Sequence, residues 1–109
     1  MLGTLLVDLP IDDEHAPLYA VGQVAEMLGV QPAFLRRLDV EQVVKPARSD
    51  GGQRRYTRAE IVQVQRVSEM ANAGMSLAGI RRILELEIEN SDLRQQLGAL
   101  DEDAPSHNE

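Results

Sequence analysis

The sequence predicts a mainly α-helical fold: a helix-turn-helix, a short β-hairpin wing and a C-terminal helix that needs a partner. Three observations carry that expectation. Apolar residues recur at intervals of three and four in four segments, each bounded by Gly, Pro or a hydroxyl residue. The stretch VVKPARSDGGQRRYT between them has instead a Ser-Asp-Gly-Gly tip flanked by two semi-extended runs. Aromatic residues make up only 3% of the chain, so the core has to be assembled from Val, Leu, Ile, Met and Ala.

Each element follows in order. Residues 1–17, with Pro10 and Pro17 bracketing an acidic run, lack either periodicity and are expected to be a disordered acidic lead-in. In YAVGQVAEMLGV, Val21, Val24, Ala25 and Leu28 share a helical face, and Gly29 supplies a left-handed stop. Pro32 suits the first position of a second helix that turns Phe34 or Leu35 and Leu38 inward and leaves Arg36 and Arg37 on other faces. After the wing, Thr57 and Glu60 form a capping box for a third helix whose buried stripe is Ile61, Val64, Val67, Met70 and Ala71, ended by Gly74. The winged unit thus spans 18–75.

Ser76 can cap a fourth helix, predicted over 76–100. One of its stripes, Ile80, Leu84 and Ile88, is expected to pack back on the domain. The other, Ile83, Leu86, Asn90, Leu93, Leu97 and Leu100, alternates spacings of three and four, which is a heptad seam with one polar core position. That seam predicts a homodimer. Residues 101–109 are expected to be a disordered acidic tail.

Charge is segregated along the chain. The formal net charge is -7, yet residues 18–82 hold ten Lys and Arg against six Asp and Glu, while both ends are acidic. Several function classes fall away. There is no Cys, His15 and His107 stand alone in polar segments, and no metal site is expected. No paired carboxylates, nucleophile elbow or phosphate-loop glycine pattern suggests an enzyme or a cofactor. No signal peptide or membrane span is evident, so a cytoplasmic, nucleoid-associated protein is expected, with no small-molecule ligand.

The remaining chemistry is a basic second helix followed by a basic wing. A helix fits the major groove of a duplex and a hairpin can lie along its backbone. Arg36 and Arg37 are the candidates for base edges or nearby phosphates; Lys45, Arg48, Arg54, Arg55 and the Tyr56 hydroxyl are the candidates for phosphate oxygens. Double-stranded DNA is therefore the expected partner. For Tyr56, packing within the hairpin is an equal alternative.

With these elements in sequence, LYAVGQVAEMLGVQPAFLRRLD, VVKPARSDGGQRRYTRAEI and SLAGIRRILELEIEN together resemble the MerR family of winged helix-turn-helix regulators, and within it the HspR-like heat-shock repressor branch. The resemblance implies a dimer with antiparallel C-terminal helices on an inverted-repeat operator, DNA contacts at Arg36, Arg54, Arg55 and Tyr56, and transcriptional repression; a DNA binder that recruits a chaperone as corepressor also fits. Two departures stand out: Arg37 and Leu38 replace a common aromatic pair, and Gln31 replaces the usual Ser or Thr before the second helix. The rival implied by the same fold is a chaperone-modulator module that binds a co-chaperone and not DNA.

Overall fold

The computed structural model describes residues 13–103. The elements are β1 (Tyr19–Ala20), α1 (Val21–Leu28), α2 (Pro32–Val40), β2 (Ala47–Arg48), β3 (Arg54–Tyr56), α3 (Arg58–Asn72) and α4 (Leu77–Asp103). The mainly helical class, the helix-turn-helix and the wing are all present.

Local chemistry explains the helix ends. Gly29 sits at φ 67, and its N–H donates to the Ala25 carbonyl, which stops α1 where a side chain at Cβ would be strained. Pro32 occupies the first turn of α2, and Gln31 provides no side-chain cap. Thr57 Oγ1 accepts from the Glu60 N–H at 3.0 Å while Glu60 Oε1 accepts from the Thr57 N–H at 2.9 Å, so both halves of the capping box at α3 are made. Ser76 Oγ accepts from the Gly79 N–H at 3.1 Å at the start of α4.

The wing belongs to a sheet the sequence did not suggest. β3 is the central strand, antiparallel to β2 on one side and to β1 on the other, with Tyr19 opposite Tyr56 and Ala47 opposite Arg55. The hairpin tip closes through Ser49 N–H to the Gln53 carbonyl at 2.7 Å and Gly52 N–H to the Ser49 carbonyl at 2.9 Å. Gly52 lies at φ 83, the left-handed residue that this tip requires.

One core joins the parts. Val24 and Ala25 of α1, Leu35 and Leu38 of α2, Val43 and Val44, Tyr56 of β3, Ile61, Val64 and Val67 of α3, and Ile80 and Leu84 of α4 form a single buried cluster. Leu35 is fully buried, with Phe34 half-buried against the same cluster. Apolar area removed from water in this way is the main term holding a domain of this size.

Three expectations are corrected. Ile88 is 62% exposed: it continues the stripe of Ile80 and Leu84, but α4 has by then passed the edge of the domain. The helix also runs to Asp103, three residues beyond the expected end. Residues 13–17, expected to lack structure, form a turn in which the Glu14 carbonyl accepts from the Ala59 N–H at 3.1 Å, tying the segment to the first turn of α3. The rest of the expected tails, 1–12 and 104–109, lies outside the described residues.

Candidate nucleic-acid interface

The outward face of α2 carries Ala33, Arg36, Arg37 and Val40, at relative positions 0, 3, 4 and 7 of the helix, and all four are exposed. Leu35 and Leu38 occupy the opposite side and seat the helix on the core. Arg36 enters no ion pair among the described residues, and Arg37 stands 3.9 Å from Glu41 in an exposed i,i+4 pair that water screens. Val40, 74% exposed in the last turn, is an apolar member of this face that charge-based reading passed over.

In the wing, strand alternation sorts the side chains. Arg54 and Tyr56 share one face of β3 and Arg55 projects from the other. Tyr56 is only 1% exposed and belongs to the core. Its hydroxyl has no hydrogen-bond partner, and burial pushes its pKa upward, with the positive charge of Arg54 acting in the opposite sense. Of the two readings of Tyr56, burial supports packing within the hairpin, because the inward face of β3 turns the hydroxyl away from solvent.

Arg48 and Arg54 both pair with a carboxylate, and Arg54 is drawn inward by it. Asp39 Oδ2, near the end of α2, accepts from Arg54 Nε at 2.7 Å and from Arg48 Nη2 at 2.9 Å. Arg54 and Asp39 are largely covered, at 18% and 13% side-chain exposure, whereas Arg48 is half exposed and donates further to the Gly52 carbonyl at 3.2 Å. The seven candidates thus divide. Arg36, Arg37, Lys45 and Arg48 are exposed, Arg48 while paired with Asp39, and Arg55 is partly so, with a long 3.5 Å contact to Gln53. Arg48 and Arg54 bind the wing to α2, and Tyr56 packs beneath it.

Asp39 is the residue that sequence reasoning missed. The one signal for it was indirect: Arg54 stands two residues from an aromatic that must face inward, so its guanidinium had to meet a carboxylate or stay unpaired.

Along α4, Leu86, Leu93, Leu97 and Leu100 are exposed together with Asn90, and Ile83 is half-buried. The predicted seam is thus uncovered within one chain. Arg66 Nη1 donates to Glu87 Oε1 at 2.6 Å, with a second short contact from Nη2 to Oε2, and this pair splints α3 to α4 where the seam begins. Among the described residues no cluster of three or more His, Cys, Asp or Glu is placed to hold a metal ion, and no helix is long and apolar enough to cross a membrane.

A family model described as MerR HTH family regulatory protein matches residues 19–87. That span takes in both helices of the helix-turn-helix, the wing, α3 and the first turns of α4. Heat shock protein HspR of Streptomyces coelicolor is 34% identical over 88 residues, covering 80% of this chain and 58% of that protein. The HTH-type transcriptional regulator ZntR of Escherichia coli is 29% identical over 73 residues, covering 66% of this chain and 52% of the other. The chain therefore spans little more than half the length of these relatives. Among solved structures, HiNmlR, a MerR family regulator lacking the sensor domain and bound to promoter DNA, superposes with a TM-score of 0.63 at 29% identity, over 78% of this chain and 65% of that one. The N-terminal part of MtaN, a Bacillus subtilis multidrug transporter activator, gives a TM-score of 0.57 at 28% identity, over 77% and 89%.

Proposed function

This chain belongs to the MerR family of helix-turn-helix regulatory proteins, and from that membership we propose that it binds double-stranded DNA as a homodimer and regulates transcription. The single observation that carries the proposal is the outward face of α2, where Arg36 and Arg37 stand exposed beside a wing fixed to the same helix through Asp39. In this reading α2 enters the major groove, Arg36 meets base edges, and Arg37, Lys45 and Arg55 meet phosphates. Val40 adds an apolar surface suited to a thymine methyl. Two such units, joined by α4 seams, match an inverted repeat.

Similarity to a heat shock protein and to a regulator solved on promoter DNA supports this reading over a module that binds only other proteins. The likeness to the heat shock protein supports a role in the stress response; repression at the nucleoid, with a chaperone as a corepressor, completes the proposed reading. No catalytic step is part of the proposal; ZntR, one of the relatives, is an HTH-type transcriptional regulator.

The test is a salt titration of binding to a duplex that the full chain selects from a random pool. Each phosphate neutralised adds about 0.9 to the slope of log K against log salt. A dimer using Arg37, Lys45 and Arg55 from both subunits should lose affinity steeply as salt rises. A flat response, or failure to enrich any duplex, rejects DNA as the partner.

A further inference from the structure

Two of the wing's arginines converge on one oxygen of one carboxylate. Asp39 Oδ2 receives Arg54 Nε at 2.7 Å and Arg48 Nη2 at 2.9 Å, and the same Arg48 guanidinium reaches on to the Gly52 carbonyl at the wing tip. A continuous chain of charge-assisted hydrogen bonds therefore runs from the last turn of α2 to the tip of the hairpin. It has two physical effects. It fixes the wing relative to α2, and it engages two guanidiniums, Arg54 largely covered and Arg48 half exposed, that would otherwise be freer to meet any phosphate backbone.

These effects bear differently on the two kinds of DNA binding. Attraction to arbitrary duplex depends on how many free cations can meet phosphates, whereas recognition of a chosen sequence depends on the register in which helix and wing arrive together. We infer that Asp39 is a specificity-determining positioning residue: it withholds Arg48 and Arg54 from indiscriminate phosphate contact and holds the wing where it can engage only in register with α2. The inference rests on the duplex-binding reading above. It also explains why a carboxylate stands on the helix with the exposed arginines. Asp39 is the inward-turned acid whose charge is consumed locally, with 13% of its side chain exposed, so it does not repel the duplex.

The experiment compares the full wild-type chain with Asp39→Asn and Arg48→Ala, each titrated with salt against the selected duplex and against random duplex of equal length. Circular dichroism melts accompany each protein. For Asp39→Asn the expected result is tighter binding to random duplex, a salt slope on it steeper by at least about 0.9 for each arginine released, and a selected-to-random preference reduced tenfold or more. An unchanged random-duplex slope, with both affinities falling in parallel, overturns the inference and makes Asp39 a purely structural residue. Arg48→Ala keeps the better covered Arg54–Asp39 pair and guards against failure of the first variant to fold. It should leave the random-duplex slope unchanged while weakening the selected duplex; a slope reduced by about 0.9 would mean that Arg48 already touches phosphate, and overturns the inference. Wild-type protein that binds neither duplex rejects the DNA reading itself, an outcome separate from wild-type binding with unaltered variants.

Discussion

The Arg81 guanidinium donates to the Glu41 carbonyl at 3.3 Å, so the beginning of α4 caps the end of α2. Glu41 is the C-cap of α2, where unpaired carbonyls and the helix dipole favour a cation. One hydrogen bond thus links the helix proposed to read DNA with the helix proposed to set the distance between two readers.

Arg81→Ala should lower stability by about 0.3–1 kcal/mol, the usual worth of a cation at a helix C-terminus. Its larger effect should fall on geometry. With the link cut, the angle between α2 and α4 loosens, and operators whose half-sites are one base pair closer or farther apart should be tolerated better. Denaturant melts measure the first effect and binding to a spacing series measures the second. An unaltered spacing profile would assign Arg81 to stability alone.

Arg36 and Arg55 should fail in different ways. Arg36 lies on the outward face of α2 and Arg55 on the outward face of β3, and the proposal assigns base edges to the first and backbone to the second. Arg36→Ala should cost about 1–3 kcal/mol on the selected duplex and little on random duplex, blurring preference at one position. Arg55→Ala should weaken both duplexes about equally and reduce the salt slope by roughly 0.9 for each phosphate no longer neutralised. Equal losses on both duplexes for Arg36→Ala would remove it from base readout.

Tyr56 offers a test of its packed position. Its hydroxyl is buried and unpaired, and such a group carries a desolvation cost of about 1–3 kcal/mol that no protein partner offsets here. Tyr56→Phe should therefore leave stability unchanged or raise it, and leave DNA affinity within about twofold. The pH dependence follows from the raised pKa. Ionisation is harder in the folded state, so this contribution to stability is intact below the ordinary tyrosine value of 10.0 and declines as pH rises from there through the folded value. The variant should flatten that alkaline decline in thermal melts. Lost DNA binding with an intact fold would return the hydroxyl to the interface.

What could be read from the sequence was what is local. The Thr57–Glu60 capping box, the Gly29 stop and the Gly52 hairpin tip each depend on residues a few positions apart, and their side-chain chemistry announces them. The Asp39–Arg54 pair joins residues 15 positions apart, and no spacing rule connects them. β1 is two residues long and pairs with a strand some 35 residues later, too short to show alternation. Gln42 adopts φ 63, a left-handed turn at the end of α2 where glycine would ordinarily mark the place, so the usual cue was missing. Ile88 shows a different limit: periodicity gives the face of a helix but not where the opposing surface ends.

The uncovered seam of α4 leads to the final prediction. At about 1.5 Å per residue the 27-residue helix is roughly 40 Å long, and past Leu84 none of its described side chains is buried. A solitary helix that presents Leu86, Leu93 and Leu97 to water leaves substantial apolar area that a second copy would cover at about 25 cal/mol per Å². Leu93→Asp sets a carboxylate in the middle of that seam, where burial without a partner is unfavourable, and should convert the proposed dimer to a monomer in sedimentation while the domain still melts cooperatively. Operator affinity should fall steeply, because one half-site then binds without help from the other. Ile88→Asp is the control: Ile88 lies on a different stripe of the same helix, so the dimer should survive. If Ile88→Asp dissociates the dimer and Leu93→Asp does not, the partner helix docks on the stripe shared with Ile80 and Leu84, and the heptad assignment is wrong.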